Sequence, residues 1–126
     1  MSKGAILTKS KDFAVRIIKL TRYLQEDKHE YVLSKQILRS GTSIGANARV
    51  SNNAQSRADF LSKLSIALKE ADETQYWLEL LVESDIISKS QFESLNDNLT
   101  EIIAMLTASI KTTKKFAYIQ ANFLTH

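Results

Sequence analysis

The residues with the clearest capacity for chemistry in this chain are Glu26 and His29, which have the Glu-x-x-His spacing of an iron ligand pair. A di-iron site in a helical bundle uses two such pairs and two further glutamates. The other histidine is His126, the final residue given, so a second pair cannot form. The chain has no cysteine, which excludes thiolate metal sites and cysteine nucleophiles. We therefore predict no metal and no other cofactor.

Nucleophilic and phosphate-loop chemistry are equally poorly supported. Serine is plentiful, but His29 is the one internal histidine that could activate it. The three glycines, at positions 4, 41 and 45, do not fit a phosphate-binding loop. The acidic residues of the third segment are better explained as a solvated helix face; they are Glu70, Asp72, Glu73, Glu79 and Glu83. We predict that the protein is not an enzyme.

Basic residues carry the strongest functional signal. Residues 1–59 hold eleven Lys/Arg against five Asp/Glu, whereas residues 60–87 hold two against six. On a helical wheel of the second segment, Lys35, Arg39 and Arg49 lie opposite Ile44, in an arc without acidic residues. Lys19 and Arg22 of the first segment also point outward. Such a surface could neutralise phosphates, or it could be an ordinary solubilising face.

The elements that position these residues are helices. Proline is absent and glycine is rare, so the chain lacks the turn residues of sandwiches and barrels. Apolar residues recur at helical spacing in four segments, about 10–26, 32–53, 56–84 and 88–112. The seams are Phe13, Ile17, Leu20, Leu24; Leu33, Ile37, Ile44, Ala48; Phe60, Leu64, Ala67, Leu68, Ala71, Thr74, Leu78, Leu81; and Phe92, Leu95, Leu99, Ile102, Leu106, Ile110. Short linkers predict an all-α, antiparallel up-down-up-down four-helix bundle.

Helix ends and boundaries follow from polar residues. Ser10 or Asp12 is expected to cap the first helix, Ser56 with Asp59 the third, and Ser88 or Ser90 the fourth. We assign residues 1–115 to the bundle. Residues 116–126 form an apolar C-terminal tail, which either extends the fourth helix or docks on another subunit. No apolar run approaches the roughly 20 residues of a membrane span. Without that or a signal peptide, a cytoplasmic location with no membrane contact is expected.

The second segment contains an unusual run of small residues, from Ser40 to Ala48. Each glycine inside a helix costs about 1 kcal/mol relative to alanine. Close packing against a neighbouring backbone would offset that cost. The neighbour could lie within the subunit or in another subunit, and we predict packing or oligomer contacts for six residues: Ile37, Ser40, Ile44, Asn47, Tyr76 and Trp77.

Two motifs resemble those of a bacterial protein family. The first is QILRSGTSIGAN at residues 36–47, and the second runs from Asp59-Phe60 through Lys63-Leu64 and Ile66-Ala67 to ETQYWL at residues 73–78. The family consists of four-helix-bundle proteins encoded in intervening sequences of large-subunit ribosomal RNA genes. It is related to the accessory protein of diversity-generating retroelements. The resemblance covers about residues 10–112.

The resemblance implies a ring-shaped homopentamer that binds structured RNA, ribosomal RNA included. Five copies of a chain with charge +3 would carry +15 (5 × 3), with Lys35, Arg39 and Arg49 repeated around the ring. One departure is Arg49, where the family often carries glutamate. The tail after Lys115 has no counterpart in the family.

The leading hypothesis is therefore a non-enzymatic homo-oligomeric scaffold that contacts RNA through Lys35, Arg39, Arg49, Lys19 and Arg22. The alternative is a protein–protein adaptor without a nucleic-acid role. Its protein partner would dock on the acidic face of the third helix or on the apolar tail.

Overall fold

The computed structural model describes residues 3–125, which form four α-helices; Met1, Ser2 and His126 lie outside the described residues. The helices are α1 (Lys3–Glu26), α2 (Val32–Ser51), α3 (Arg57–Glu83) and α4 (Lys89–Thr125). Each packs against the next along the chain, and α4 closes the arrangement against α1. The predicted four-helix bundle is confirmed. None of the four helices combines the length and apolarity needed to cross a membrane, as far as residues 3–125 are concerned.

The core is built from the predicted seams. Phe13, Ile17 and Leu24 of α1 are almost completely buried, as are the central residues of the other three helices. The fully buried large side chains of α2, α3 and α4 are Ile37, Ile44, Leu64, Leu78, Leu81, Leu99, Ile102 and Leu106. Leu33, Phe60, Leu68 and Phe92 pack against this core while remaining partly exposed. Helical periodicity therefore identified the interior of each helix correctly.

Two helices are longer than the periodicity predicts. Helix α1 begins at Lys3, and its first turns are held by Ile6, which is buried. Ser10 is consequently interior, where its hydroxyl donates to the Leu7 carbonyl at 3.3 Å, so its expected role as a cap is wrong. Helix α4 does not end near residue 112 but continues to Thr125, since neither glycine nor proline interrupts it.

The turns compensate for the shortage of glycine. His29 and Asp85 adopt positive φ angles of 53° and 60°, in the left-handed region that ends many helices. The Glu30 amide then reaches back to the Leu24 carbonyl at 2.8 Å, and the Ile86 amide reaches Leu81 at 2.9 Å. Histidine and aspartate tolerate this conformation better than most residues. His29 therefore has a structural role at the end of α1.

The starts of α2, α3 and α4 are capped by side chains. The Ser56 hydroxyl accepts from the Asp59 amide at 3.1 Å, which confirms the predicted cap of α3. Ser88 and Gln91 form a reciprocal capping box at α4: the Gln91 amide donates to the Ser88 hydroxyl at 3.0 Å, and the Ser88 amide donates to the Gln91 side chain at 2.8 Å. At α2 the Glu30 carboxylate accepts from the backbone amides of Leu33 and Ser34 at 2.7 and 3.2 Å.

Candidate nucleic-acid interface

The two glycines of α2 allow α1 to approach closely. A Cβ added at Gly41 would lie 2.9 Å from both Cγ1 and Cγ2 of Ile17, and one at Gly45 would lie 3.3 Å from the Ser10 carbonyl oxygen. No Cβ can sit 2.9 Å from buried carbon atoms without displacement. The neighbour that explains the small-residue run is therefore α1 of the same chain.

Three of the residues predicted for packing are interior to the subunit. Ile37, Ser40 and Ile44 are completely buried in the single chain. The Ser40 hydroxyl lies 2.9 Å from that of Thr74, linking α2 to α3 through a buried polar contact. Asn47 is half-buried, and its side-chain amide donates to the Ser43 carbonyl at 2.8 Å. None of the three buried side chains is accessible to another molecule.

Tyr76 and Trp77 lie next to one another on α3 but differ in exposure. Tyr76 is 53% exposed, whereas Trp77 is half-buried and packs against the core. Their ring centroids are 5.3 Å apart with planes tilted by 60°. The Trp77 indole nitrogen is buried and has no hydrogen-bond partner among residues 3–125. Of the six predicted packing residues, Tyr76 is the most accessible to a partner.

The five basic residues predicted to bind phosphate are all exposed, but their surroundings differ. Arg39 turns toward α3, where it pairs with Glu70 at 3.1 Å and also with Glu73. Helix α2 carries no acidic residue, but α3 places the carboxylates of Glu70 and Glu73 beside it. Arg39 therefore carries a compensated charge, which reduces its value for phosphate binding.

Arg49 lies in a different position, on the side of α2 that faces α1. It lines a shallow groove with Lys11 of α1, and the groove walls include Thr8, Thr42 and Ala46. Neither cation has a carboxylate within ion-pair distance in the described part of the chain. The Thr42 hydroxyl donates to the Leu38 carbonyl of its own helix at 2.7 Å, so its proton is already engaged.

Three further predicted residues are distributed around α1 and α2. Arg22 and Lys35 are exposed, and no ion pair involves either of them within residues 3–125. Lys19 lines a separate groove between α1 and α4, beside Arg16 and Tyr23. The structure thus places Lys11, Arg22, Lys35 and Arg49 on helices α1 and α2 as uncompensated cations. We call these four residues the α1/α2 basic face.

Lys11 is the one member of this face that was not among the five predicted residues. Two neighbouring cations on α1 are already paired with residues of α4. Lys9 pairs with Glu101 at 2.6 Å, and Arg16 donates to the Ser94 hydroxyl at 2.8 Å and to the Asn98 side chain. Lys9 and Lys11 are two residues apart on α1 and therefore point about 200° away from each other around the helix. Lys9 is paired because α4 brings Glu101 next to it, whereas Lys11 has no carboxylate partner within residues 3–125.

Comparison with known proteins identifies the fold and its lineage. The sequence model of the 23S rRNA-intervening sequence protein family matches residues 3–108. The chain belongs to this family. Among solved structures, it is similar to a protein with unknown function from the S23 ribosomal protein family of Bacteroides thetaiotaomicron. The two share 55% sequence identity with a TM-score of 0.87 over 88% of this chain and 99% of the other. Curated protein sequences give no significant match.

The extent of the match divides the chain into two parts. The matched range contains α1, α2, α3 and most of the bundle part of α4, and therefore all four residues of the α1/α2 basic face. The last turns of α4 lie beyond it. The resemblance inferred from the motifs at residues 36–47 and 59–78 is confirmed.

Proposed function

We propose that this protein is a non-enzymatic, cytoplasmic RNA-binding scaffold whose α1/α2 basic face contacts the phosphates of structured RNA. The observation that carries the proposal is the placement on α1 and α2 of four cations, Lys11, Arg22, Lys35 and Arg49, which are exposed and have no carboxylate partner within residues 3–125. Uncompensated lysine and arginine side chains displace counterions from a nucleic acid, and this release drives sequence-independent binding.

The family supports RNA as the polyanion. Its name refers to sequences that interrupt 23S ribosomal RNA, and the similar solved protein is assigned to a ribosomal protein family. We propose ribosomal RNA as the first candidate ligand. Small side chains such as Thr42 and Ala46 line the groove beside Arg49 and allow a sugar–phosphate backbone to approach both helices. Contacts of this type position a protein on RNA without reading base sequence.

Oligomerisation would strengthen the proposed interaction. The family resemblance implies a homopentamer, in which each cation is present five times. Several weak phosphate contacts on one assembly bind a long polyanion more tightly than a single subunit does, because later contacts form at high effective concentration. The pentamer thus belongs to the proposal, and subunit stoichiometry needs its own measurement by native mass spectrometry.

The test is a fluorescence-anisotropy titration of nucleic-acid-free protein against a structured ribosomal RNA fragment, repeated from low to physiological salt. We expect binding that weakens steeply with salt. The double variant Lys11→Gln/Arg49→Gln should lower the slope of log affinity against log salt by about 2 per bound subunit, or about 1 for each lost phosphate contact. A variant with unchanged affinity and slope would remove these residues from the interface.

A matched control separates this surface from net charge. The double variant Lys63→Gln/Lys69→Gln also removes two positive charges, but it removes them from α3, outside the α1/α2 basic face. It should retain nearly all of the wild-type affinity. Equal weakening by both double variants would indicate nonspecific attraction to the whole molecule and would contradict the proposed interface.

Arg39 needs a separate variant because of its ion pairs. Arg39→Glu would place a third carboxylate beside Glu70 and Glu73, so weakened RNA binding could follow from disturbed packing. Arg39→Gln avoids that clash, and we expect a smaller effect on RNA affinity than that of Arg49→Gln.

The adaptor alternative is supported by the exposed aromatic and apolar side chains outside the basic face. Tyr76 on α3 and Phe123 near the end of α4 are 53% and 83% exposed. If the salt titration shows no RNA binding even at low ionic strength, a protein partner at one of these surfaces becomes the proposed function.

A further inference from the structure

A groove lies at the end of the bundle where α2 finishes and α3 begins. It encloses about 710 Å³, a volume within the range of sites that hold a small organic group. Its walls come from the end of α2 with the turn that follows, the first turn of α3, and the face of α4 from Ala108 to Phe116. Asn52, Thr112 and Phe116 of this lining are exposed, so the groove is open to solvent.

One wall of the groove presents a guanidinium held against an aromatic ring. Arg57 of α3 lies over the Phe116 ring of α4, with 4.6 Å between the guanidinium carbon and the ring centroid. The same guanidinium donates to the side-chain oxygen of Gln120 at 2.5 Å. Asp59, the nearest acidic residue along α3, forms no ion pair with Arg57. The guanidinium is therefore fixed in orientation while its charge stays uncompensated within residues 3–125.

Polar side chains with free hydrogen-bonding capacity line another part of the groove. The side-chain amide of Asn52 and the hydroxyls of Ser109 and Thr112 form no hydrogen bond within residues 3–125. The other hydroxyls differ: that of Ser56 caps α3, and that of Thr113 donates to a carbonyl of its own helix at 2.8 Å. The groove thus offers both donors and acceptors to the edge of a bound group.

The charge at the groove is positive. Among the described residues of the lining, Arg57 is the single charged side chain. Lys115 lies three residues beyond Thr112, about 60° around α4 from it, and so stands at the rim of the groove. Lys114 lies roughly 160° from both Thr112 and Phe116, on the other side of the helix. Lys115 is exposed and has no carboxylate partner within residues 3–125.

The groove begins where the α1/α2 basic face ends. Arg49 of that face and Asn52 of the groove are three residues apart, and Asn52 keeps helical backbone angles of −64° and −20°. Residues at this spacing are neighbours on a helix surface, with Cβ atoms about 5–6 Å apart. A narrow depression shares Leu7 with the groove beside Arg49 and Ser109 with the groove beside Arg57. A chain that follows the basic face past Arg49 therefore reaches the second groove directly.

We propose that this groove binds one unpaired nucleotide of the RNA that lies along the α1/α2 basic face, an inference that rests on the proposed function. The base stacks on the wall formed by Arg57 and Phe116, and its edge meets the free polar side chains of the lining. A phosphate of the same nucleotide lies beside Lys115 at the rim. Proteins recognise unpaired bases by this combination of stacking on aromatic rings or guanidinium planes and hydrogen bonds to the base edge.

The chemistry of the groove favours a nucleotide over simpler ligands. An apolar side chain in the groove would leave the polar groups of Asn52, Ser109 and Thr112 covered without partners, which is unfavourable. A phosphate by itself would gain from Arg57 but nothing from Phe116. A base within a duplex cannot enter, because its faces are stacked and its edge is already paired. The groove is therefore expected to distinguish unpaired from paired RNA, which the basic face alone does not.

The test compares two RNA hairpins that differ by one bulged nucleotide, each titrated with the full-length chain by fluorescence anisotropy at the same salt concentration. We expect the bulged hairpin to bind about tenfold more tightly, an effect typical of stacking one base. Phe116→Leu keeps an apolar side chain but removes the ring, and it should reduce this preference to less than about threefold. Circular dichroism verifies that the variant remains folded.

Tyr118→Leu is the matched control for the aromatic ring. Tyr118 is 69% exposed on the same helix, but it lies about 160° around α4 from Phe116 and does not line the groove. It should retain the preference for the bulged hairpin. Equal affinity of the wild type for both hairpins, or equal loss of preference in Phe116→Leu and Tyr118→Leu, would overturn the proposal.

Variants of the cations separate charge from stacking. Arg57→Lys retains the positive charge but has no plane on which a base can stack, so it should lose the preference as fully as Arg57→Gln does. Retention of the preference by Arg57→Lys would contradict the stacked arrangement. Lys115→Gln should lower the slope of log affinity against log salt by about 1 for the bulged hairpin, whereas Lys114→Gln should leave the preference unchanged.

A free nucleoside monophosphate distinguishes the two sources of a base. If it binds at Arg57 while the wild type shows no preference between the hairpins, the groove is a site for free nucleotides and the proposal is wrong. Binding of the bulged hairpin that is tighter than that of the free nucleotide supports it, because the basic face then adds its phosphate contacts to those of the groove.

Failure of this proposal differs from failure of the proposed function. Lys11→Gln/Arg49→Gln should weaken both hairpins alike and leave their ratio unchanged, whereas Phe116→Leu should change the ratio and preserve affinity for the paired hairpin. If both hairpins bind equally with a steep dependence on salt, only the groove proposal is wrong. If neither hairpin binds even at low salt, the basic face and the groove are both refuted as RNA sites.

Discussion

Replacing Gly41 with alanine tests whether close contact between α1 and α2 is the reason for glycine in that helix. In an ordinary helix the change would stabilise the protein by about 1 kcal/mol, since glycine is the poorer helix former. Here the new Cβ would lie 2.9 Å from two carbons of Ile17, a side chain that is completely buried. Overpacking of a core costs about 1–3 kcal/mol. The net expectation is a loss of about 1 kcal/mol.

The assay is urea unfolding followed by circular dichroism, with comparison of midpoints at constant slope. Gly45→Ala is the internal control, because its Cβ would meet the Ser10 carbonyl oxygen at 3.3 Å, a contact too tight by only a few tenths of an ångström. We expect a change within about 0.5 kcal/mol there, as strain and helix propensity nearly cancel.

A double-mutant cycle identifies Ile17 as the source of the strain. Ile17→Ala alone should destabilise the protein by about 2–5 kcal/mol through the cavity that it leaves. In that background Gly41→Ala should become neutral or stabilising, which corresponds to a coupling of about 1–2 kcal/mol. If Gly41→Ala is as stable as the wild type, or its effect is unchanged in the Ile17→Ala background, the steric explanation is incorrect.

Three further substitutions test contacts at other points of the fold. Arg57→Ala should accelerate amide hydrogen exchange within residues 116–125 several-fold, because it removes the contacts of Arg57 with Phe116 and Gln120 of α4, while exchange in the core stays unchanged. Ser56→Ala should lower the free energy of unfolding by about 1 kcal/mol through loss of the cap of α3, and Ser56→Asp should restore most of it; equal stability of Ser56→Ala and the wild type would contradict the capping role. Thr74→Val should cost about 1 kcal/mol in chemical denaturation, because the buried Ser40 hydroxyl loses its partner across α2 and α3; a stabilised variant would show that the hydrogen bond contributes nothing.

The helices and the caps of α3 and α4 could be predicted from sequence because both depend on local spacing. Apolar residues three and four apart must share a helix face, so the buried seam from Leu95 to Ile110 was visible without tertiary information. The Ser56 cap was equally local, since its partner is the amide three residues later. Helix ends were less predictable. The start of α1 depends on Ile6 packing against other helices, and the end of α4 lacks a residue that would stop it.

The candidate site was decided by contacts between residues distant in sequence. Arg39 and Arg49 belong to the same polar arc on a helical wheel of α2, yet of these two residues only Arg39 meets carboxylates within residues 3–125, and those lie 31 and 34 residues away on α3. Lys9 and Lys11 are distinguished in the same way by Glu101 on α4. The sequence by itself determined the fold class, the interior of each helix and the abundance of cations near the N-terminus. Tertiary structure alone decided which cations remain free, because charge compensation depends on distance in space, and a helical period contains no information about the neighbouring helix.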